Sequence, residues 1–451
     1  LVGVRTHTIP VRVINVSNRA VHLCKGTLIS ELEEATEVLE VKHMEVTDVV
    51  EIPPDPRGIH VQPILDAVDE GVTMNDRDKL EKLLVEYRDV FSQGEYDLGT
   101  THVVEHHIDT GDHPPIRQSL RRQPPLYQKV IQEQTAEMLK AGIIKPANTE
   151  WAANVVLAKK KDGKLRFCVD YRQLNDASRK DSFPLPRIDQ CLDTLTGSRW
   201  FSTFDLVSGY HQVKMEAQSA EKTTFITREA AYQYNVMPFG LSSAPGTFQR
   251  LMNTTLQGIN FKTCLAYLDD IVVFSRDVDS HLERLSILFE RIRAAGLKFK
   301  PSKCHILQSR ISFLGYVVSV DGISTDPEKI RVVDEWRTPT NVHELRSFLG
   351  LCSYYRKFIL DFAQIATPLH RLTGDVKFQW DDSCQTAFEA LKVCLTTAPV
   401  LALPDDDLPY VLDTDASDYA MGAVLSQIHD GQERVIAYAS RTFNRAERNY
   451  C

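Results

Sequence analysis

Long apolar runs and closely spaced cysteines are both missing from this sequence of 451 residues. No stretch is apolar over enough length to cross a bilayer as a helix, so we expect no membrane partner. The 9 cysteines are scattered singly, without the short paired spacings of zinc sites and disulfide frameworks. These absences argue against a membrane protein, a zinc-stabilised module and a disulfide-rich secreted domain, and they favour a reducing compartment.

An excess of positive charge is also absent, since the formal net charge is -9. The acidity is concentrated at the start: residues 1–110 carry 21 acidic and 10 basic side chains, which leaves 40 acidic and 42 basic in residues 111–451. Residues 117–172 alone contain 12 Lys or Arg against 5 Asp or Glu. Such a cluster can hold a phosphate backbone, and a solvated basic surface is an equal alternative.

The length predicts three or four units, each large enough to bury its own core. Residues 1 to about 50 alternate apolar and polar side chains, which predicts short strands, and an acidic linker interrupted by prolines follows. The chain starts at Leu1 without a signal peptide and stops at Cys451 after a polar run. We therefore expect a segment of a longer polyprotein.

Apolar periodicity and turn signals predict helices and strands in mixed order along the rest of the chain. Residues 154–169 are typical of a β-hairpin whose tip, Asp162-Gly163, is surrounded by lysines. Helices are predicted at 76–91, 126–141, 244–256 and 280–295, and further strands at 199–205, 232–236, 263–267 and 271–274. The implied class is α+β.

Two adjacent carboxylates lie between apolar, strand-like runs in the sequence YLDD at 267–270. A tight turn would place Asp269 and Asp270 at the tip of a hairpin, where they repel unless a divalent cation neutralises them. Asp205 ends another apolar run, so a strand would deliver it to the same sheet edge. Three carboxylates can hold two Mg²⁺ ions about 4 Å apart. A solvated turn without a catalytic role is the alternative.

The order of motifs along the chain resembles that of reverse transcriptases, most closely those of gypsy-type LTR retrotransposons. The motifs are the lysine-rich hairpin, VDYRQLN at 169–175, Asp205, SGYHQ at 208–212, MPFGL at 237–241, YLDD at 267–270 and FLGY at 313–316. The resemblance implies an RNA-directed DNA polymerase with the right-hand architecture of fingers, palm and thumb. It also implies a truncated RNase H-like α/β domain after the polymerase.

The resemblance assigns roles to residues around the predicted metal site. It implies that the three carboxylates bind two Mg²⁺ ions, with Mn²⁺ as a substitute. Arg166, with Lys160 or Lys161, would grip the incoming deoxynucleoside triphosphate, because the match in the fingers hairpin is ambiguous by one residue. Tyr210 would act as a steric gate against a ribose 2′-hydroxyl, because a ring can exclude one oxygen by shape, and a core tyrosine is the alternative. Phe239 would line the nucleotide pocket.

Two further sets of residues follow from the same resemblance. Lys303 matches the lysine that is proposed to protonate the pyrophosphate leaving group, and an exposed lysine without a catalytic role is an equal alternative. Leu314, Gly315 and Tyr316 would form the primer grip, where glycine lets the nucleic-acid backbone approach closely.

The last segment, with TDAS at 414–417 and GAVL at 422–425, resembles the first strands of an RNase H domain. Asp415 would be its first metal ligand. The other ligands would lie beyond residue 450, so we expect no RNase H activity from these residues. The triplet Asp109-Thr110-Gly111 copies that of retroviral aspartic proteases but lacks flanking apolar strands, so we expect a loop.

The predicted segments are a post-protease β-rich leader at 1–55, an acidic linker and helical segment at 56–117, fingers and palm at 118–320, thumb or connection at 321–375 and a partial RNase H-like domain at 376–451. The expected partners are an RNA template, a DNA primer, RNA/DNA hybrid, deoxynucleoside triphosphates, and the upstream protease and downstream RNase H and integrase of the same polyprotein. The expected location is the cytoplasm, in virus-like particles. A non-catalytic remnant that only binds nucleic acid is the rival hypothesis, and an RNA-copying RNA polymerase is disfavoured by Tyr210.

Overall fold

The computed structural model describes residues 61–159, 163, 165–444 and 446–449. The described residues all belong to one compact unit, which lies within Pro54–Cys451. Leu1–Pro53 lies outside the described residues, and so do Lys160 and Lys161. The predictions for the leader strands and for these two lysines therefore stay predictions. Within the described ranges, no helix combines the length and the apolar character needed to cross a membrane.

A four-stranded antiparallel sheet forms the palm. Its order is β11-β5-β10-β9, with β5 at Trp200–Asp205, β9 at Cys264–Tyr267, β10 at Asp270–Ser275 and β11 at His305–Gln308. Alternate side chains of β10 enter different cores: Val273 packs into one buried cluster, and Val272 and Phe274 into another. Because both faces of the sheet are covered, its strands are apolar on both sides, which is why the sequence predicts them clearly.

Helices cover one face of the palm sheet. They are α7 at Ala244–Thr255 and α8 at Val278–Ala294, with α1 at Gln62–Asp66 and α2 at Met74–Glu86 beside them. The ring of Phe289 on α8 lies 5.6 Å from that of Phe204 on β5 and 5.4 Å from that of Phe91. All three rings are fully buried, so the segment before the fingers is part of the palm core.

A second sheet forms the fingers. Its order is β2-β8-β7-β3-β4, with β2 at Ile144–Pro146, β3 at Ala153–Lys159, β4 at Leu165–Val169, β7 at Phe225–Ile226 and β8 at Ala231–Tyr234. Strands β3 and β4 pair as the predicted hairpin. Helix α3, at Pro125–Lys140, begins with proline at its first position and ends before Gly142, whose φ is 69°.

Shorter elements connect the fingers to the palm. A two-stranded parallel sheet joins β1, at Thr101–His106, to β6, at Val213–Met215. The short helices are α4 at Arg172–Ala177, α5 at Ile188–Asp193 and α6 at Ala217–Ala220.

A hairpin sheet and four helices follow the palm. The sheet comprises β12 at Arg310–Phe313, β13 at Tyr316–Ser319 and β14 at Gly322–Thr325, and the helices are α9 at Pro327–Asp334, α10 at Val342–Tyr354, α11 at Phe362–Arg371 and α12 at Asp382–Thr396. The rings of Phe348 on α10 and Phe388 on α12 lie 4.6 Å apart. These elements share one buried cluster with the far face of the palm sheet.

The last described sheet has the order β15-β16-β17, with β15 at Tyr410–Ala416, β16 at Ala420–His429 and β17 at Gln432–Thr442. The hydroxyl of Ser440 on β17 accepts a hydrogen bond of 2.8 Å from the backbone N–H of Ala363 on α11. Strand β15 is largely exposed, since Leu412 keeps 62% of its surface accessible.

Two predicted elements end at least two residues earlier in the structure than expected. The helix predicted at 76–91 ends at Glu86, and a 3-10 turn at Arg88–Val90 follows. Arg293 donates to the carbonyl of Glu86 at 2.7 Å, which satisfies the helix end and lets the chain turn into the core. The strand predicted at 232–236 stops at Tyr234, because the N–H of Asn235 donates to the carbonyl of Ile143 and its carbonyl accepts from Met215 on β6.

Candidate active site

Asp205 and Asp270 lie directly opposite each other in the palm sheet. The antiparallel register pairs Asp270 with Asp205 and continues in step to Ser275 and Trp200. The Cβ atoms of directly opposed residues lie about 4.5–5.5 Å apart. Each aspartate stands at the end of an apolar strand, so burial of the two strands is what brings the carboxylates together.

Asp269 joins this pair from a two-residue turn. Tyr267 on β9 pairs with Asp270 on β10, so only Leu268 and Asp269 form the connection. Leu268 has a φ of 56°, a left-handed conformation that residues other than glycine rarely adopt. The tight turn places the two aspartates of the YLDD sequence beside each other, as their spacing predicted.

The surroundings disfavour the charged forms of these carboxylates. Partial burial raises the pKa of Asp270 to about 6, and the like charges of Asp269 and Asp205 add to the shift. Burial also raises the pKa of Asp269, with a further contribution from Asp205. A site where burial and like charges both penalise ionised carboxylates is stabilised by a cation.

Lys303 supplies one positive charge at this position. It ends the 3-10 turn Pro301–Lys303, which is anchored to β5 because Lys300 donates its backbone N–H to the carbonyl of Asp205 at 2.9 Å. The ammonium group of Lys303 forms an ion pair with the carboxylate of Asp205. Its charge also opposes the upward pKa shifts of Asp269 and Asp270.

The three aspartates offer a donor set that fits a hard divalent cation. In their present rotamers, no three acidic, histidine or cysteine side chains among the described residues converge closely enough to hold a metal ion. The carboxylate of Asp205 is engaged by Lys303 instead. All the potential ligands are carboxylate oxygens of residues that are neighbours in the sheet or in the turn, and Mg²⁺ prefers oxygen ligands.

Gln249 on α7 forms hydrogen bonds to the backbone of this turn, a role that was not predicted from the sequence. Its side-chain oxygen accepts a hydrogen bond of 2.8 Å from the N–H of Leu268, and its amide donates to the carbonyl of Ala266 at 3.1 Å. The side chain is fully buried. One amide therefore satisfies two backbone groups around the left-handed residue, and a polar residue within an otherwise buried helix face was the available signal.

Tyr210 lies at the boundary between core and cleft. Its ring stacks on Phe239 with centroids 5.2 Å apart and an interplanar angle of 29°, and it contacts Phe248 on α7 at 5.3 Å. Half-burial raises the pKa of Tyr210, and the nearby charge of Asp269 raises it further. The tyrosine is thus beside the carboxylate turn rather than enclosed in the core.

Arg166 reaches the same cluster from the fingers. It lies on β4, and its guanidinium carbon is 5.0 Å from the centroid of the Phe239 ring. A cleft of ≈ 890 Å³ adjoins it, lined in part by Val207, Lys300 and Ser302 of the palm. Three of the predicted nucleotide-binding residues, Arg166, Tyr210 and Phe239, are therefore together at the junction of fingers and palm.

The remaining predicted residues lie elsewhere. Leu314 and Gly315 form the turn between β12 and β13, and Tyr316 begins β13. Asp415 lies on the exposed strand β15, in a different sheet from the palm carboxylates. Asp109 forms an ion pair of 3.2 Å with Arg179 on a polar loop after β1, in line with the expected loop.

Comparison with known proteins identifies two domains. Residues 158–318 match the family "Reverse transcriptase (RNA-dependent DNA polymerase)", and residues 380–451 match the "RNase H-like domain found in reverse transcriptase". The structure also resembles that of a foamy viral protease-reverse transcriptase in complex with double-stranded DNA. The TM-score is 0.80 at 24% identity, over 87% of this chain and 69% of that one. The likeness confirms the right-hand polymerase fold.

Similar curated proteins are polyproteins of transposons. The Pol polyprotein of transposon opus from Drosophila melanogaster is 36% identical over 90% of this chain and 42% of its own length, and that of transposon 297 is 39% identical over 82% and 35%. The Tf2-3 polyprotein of Schizosaccharomyces pombe is 36% identical over 72% and 25%. The chain thus spans less than half the length of these relatives. Residues 158–318 thus form a reverse transcriptase domain, an RNase H-like domain follows it, and the chain fits the Pol polyproteins of gypsy-type LTR retrotransposons.

Proposed function

We propose that this chain makes DNA from an RNA template, with Asp205, Asp269 and Asp270 holding two divalent ions, Mg²⁺ or Mn²⁺. The observation that carries the proposal is the pairing of Asp205 with Asp270 beside the turn that bears Asp269. All three residues fall within the segment that matches the polymerase family. Members of this family typically use divalent metal ions, and the all-oxygen donor set suits such ions.

In the proposed reaction, the 3′-hydroxyl of a DNA primer loses its proton to solvent water and attacks the α-phosphate of a deoxynucleoside triphosphate. The bond from the α-phosphorus to its bridging oxygen breaks, and pyrophosphate leaves. Bound divalent ions supply Lewis-acid chemistry, which lowers the pKa of the hydroxyl and offsets phosphate charge. The carboxylates orient the ions from a rigid sheet, and Lys303, beside Asp205, is positioned to donate a proton to pyrophosphate.

The fingers and the aromatic cluster select the nucleotide in this proposal. Arg166, with Lys160 or Lys161, binds the triphosphate, because guanidinium and ammonium groups pair with phosphate oxygens. Tyr210 excludes a ribose 2′-hydroxyl, and its stacking on Phe239 keeps the ring rigid enough to do so.

The proposed partners are an RNA template, a DNA primer, RNA/DNA hybrid and deoxynucleoside triphosphates. Two similar structures are described as complexes with double-stranded DNA and with an RNA/DNA hybrid, and the basic segment 117–172 suits a phosphate backbone. Because the relatives are polyproteins, we also propose an upstream protease and a downstream RNase H and integrase as partners. The proposed location is a cytoplasmic virus-like particle.

We further propose the segment limits predicted from the sequence. The family matches, 158–318 and 380–451, fall inside the proposed fingers and palm at 118–320 and the RNase H-like segment at 376–451. Residues 321–375 then form the thumb or connection, and Asp415 is proposed as a metal ligand of the last segment.

Primer extension on poly(rA)/oligo(dT) tests the proposal. The wild-type chain should extend the primer with Mg²⁺ and stop when a chelator is added. Asp269→Asn should abolish extension and leave hybrid binding intact, because it removes charge at the metal site without changing the nucleic-acid surface. Asp375→Asn, at an exposed position outside the palm, is the matched control and should extend normally. Extension by Asp269→Asn at the wild-type rate would refute the metal role, and binding without extension by the wild type would favour a non-catalytic remnant.

A further inference from the structure

The turn between β12 and β13 has an unusual backbone. Leu314 has a φ of 47° and Gly315 a φ of 75°, so two successive residues are left-handed. Glycine tolerates this conformation, whereas leucine adopts it only at a cost. A Cβ at Gly315 would also lie 3.4 Å from the hydroxyl oxygen of Tyr354. Something outside the turn must therefore hold it in this shape.

Two consecutive tyrosines provide that support. Tyr354 ends α10 and Tyr355 follows it. The hydroxyl of Tyr354 donates to the carbonyl of Leu314, and the hydroxyl of Tyr355 donates to the carbonyl of Gly315 at 2.6 Å. Each carbonyl of the left-handed pair thus accepts a hydrogen bond from the same helix end.

The support is reciprocal. The hydroxyl of Tyr316, the residue after the turn, donates to the carbonyl of Tyr354 at 3.1 Å. The rings of Tyr316 and Tyr354 stack with centroids 5.2 Å apart, and the ring of Tyr355 meets Tyr316 edge-on at 5.6 Å. The ammonium group of Lys357 lies 4.5 Å from the centroid of the Tyr316 ring. Turn and helix end therefore form one packed unit, the tyrosine clamp, defined as Tyr354 and Tyr355 with the carbonyls they bind.

We propose that Tyr354 and Tyr355 are positioning residues that hold the 314–315 turn against the primer strand during DNA synthesis. The proposal rests on the proposed function and on the resemblance of FLGY at 313–316 to the primer grip of reverse transcriptases. Tyr355 is 1% exposed, so it can act only through the turn, whereas Tyr354 is 38% exposed. The clamp also links the end of α10, beyond the palm, to the turn.

The hydroxyl groups, rather than the rings, should carry this role. Phenylalanine at either position would keep the stacking but lose a hydrogen bond to a carbonyl. The turn would then exchange a fixed donor for mobile water and gain freedom to shift. A shift of the primer terminus by about 1 Å is enough to slow a reaction that depends on alignment.

The test compares Tyr354→Phe, Tyr355→Phe and the double variant with the wild-type chain. The control is Tyr87→Phe, which removes a hydroxyl that lies 3.4 Å from Ser286 between α2 and α8. Fluorescence anisotropy without nucleotide measures dissociation from a labelled primer–template. Extension assays measure the KM for deoxynucleotide and the number of nucleotides added per binding event, and thermal unfolding measures stability.

We expect the double variant to dissociate about ten-fold faster than the wild type, from the loss of two hydrogen bonds, and to add fewer nucleotides per binding event. The KM for deoxynucleotide and the control variant should be unchanged. A lowered melting temperature with unchanged dissociation would overturn the proposal, because it indicates a structural role only. The anisotropy measurement needs no catalysis. If the wild-type chain binds the primer–template without extending it, and the double variant dissociates faster than the wild type, the result supports the clamp and refutes the proposed function. Absence of any nucleic-acid binding by the wild type would overturn both.

Discussion

A buried histidine ties together the strands that carry the carboxylates. His281 on α8 is fully buried between Ser202 on β5 and Ser275 on β10, with its Nε2 2.7 Å from the first hydroxyl and its Nδ1 2.8 Å from the second. Ser275 donates its own hydrogen to the carbonyl of Asp277, so it accepts from Nδ1–H. Ser202 accepts the N–H of Leu307 on β11 and has its hydrogen free for Nε2. A neutral imidazole satisfies the whole network.

Protonation of His281 should destabilise this part of the palm. Burial, with the nearby charge of Arg284, lowers the pKa of His281 to about 3. The pKa in the unfolded chain is about 6.5, so between these values the unfolded state binds more protons than the folded state. The contribution of this residue to the free energy of unfolding is therefore fully present above about pH 6.5 and declines as the pH falls. At pH 5, which is about 1.5 units below the unfolded pKa, the loss is about 2 kcal/mol.

Hydrogen exchange of the amides of β5 and β10, corrected for intrinsic rates, measures this loss locally. The wild-type chain should lose about 2 kcal/mol of opening free energy between pH 7.5 and pH 5 from this residue. The His281→Asn variant cannot titrate at this position, so it should not show this pH-dependent loss of opening free energy. The His102→Gln variant, changed at an exposed position, should behave like the wild type. Equal losses in the wild type and His281→Asn would refute the reasoning, and so would an imidazole NMR titration of His281 near pH 6.5.

Three substitutions near the palm carboxylates test individual roles. Tyr210→Ala should admit ribonucleotides, because it opens space beside Phe239; an unaltered sugar preference in single-nucleotide extension would remove the gate role. Lys303→Gln should lower kcat by about 100-fold and leave primer binding unchanged, as expected for a lost proton donor; a normal kcat would show that the ion pair with Asp205 is only structural. Gln249→Leu should raise the Mg²⁺ concentration needed for half-maximal extension, because Leu268 loses its hydrogen-bond acceptor; an unchanged requirement would limit Gln249 to folding.

Much of the palm could be predicted from local patterns. The strands at β5, β9 and β10 are apolar on both faces, and the YLDD turn interrupts them in a way that predicts a hairpin. The order of motifs predicted the family, which the comparisons confirmed. The predicted helix at 76–91 was too long, because its end depends on Arg293, about 200 residues away in sequence.

The residues that support the site were not predictable in the same way. Gln249 could be noticed only as a polar residue on an otherwise buried helix face. His281 and the tyrosines at 354 and 355 have ordinary positions in a helix or at a helix end, and no local pattern distinguishes them. Their roles come from hydrogen bonds to residues that are distant in sequence, such as Ser202 and Gly315. Only the packed chain reveals which buried polar group meets which partner.

The sequence alone determined which segments are apolar strands, where each carboxylate ends or interrupts them, and which family the motifs indicate. These are properties of neighbouring residues, and hydrophobic periodicity expresses them directly. The tertiary structure decided that Asp205 faces Asp270, that Lys303 pairs with Asp205, and that the support of each turn comes from helices α7 and α10. Such contacts depend on the register and packing of elements far apart in the chain, which no local pattern encodes.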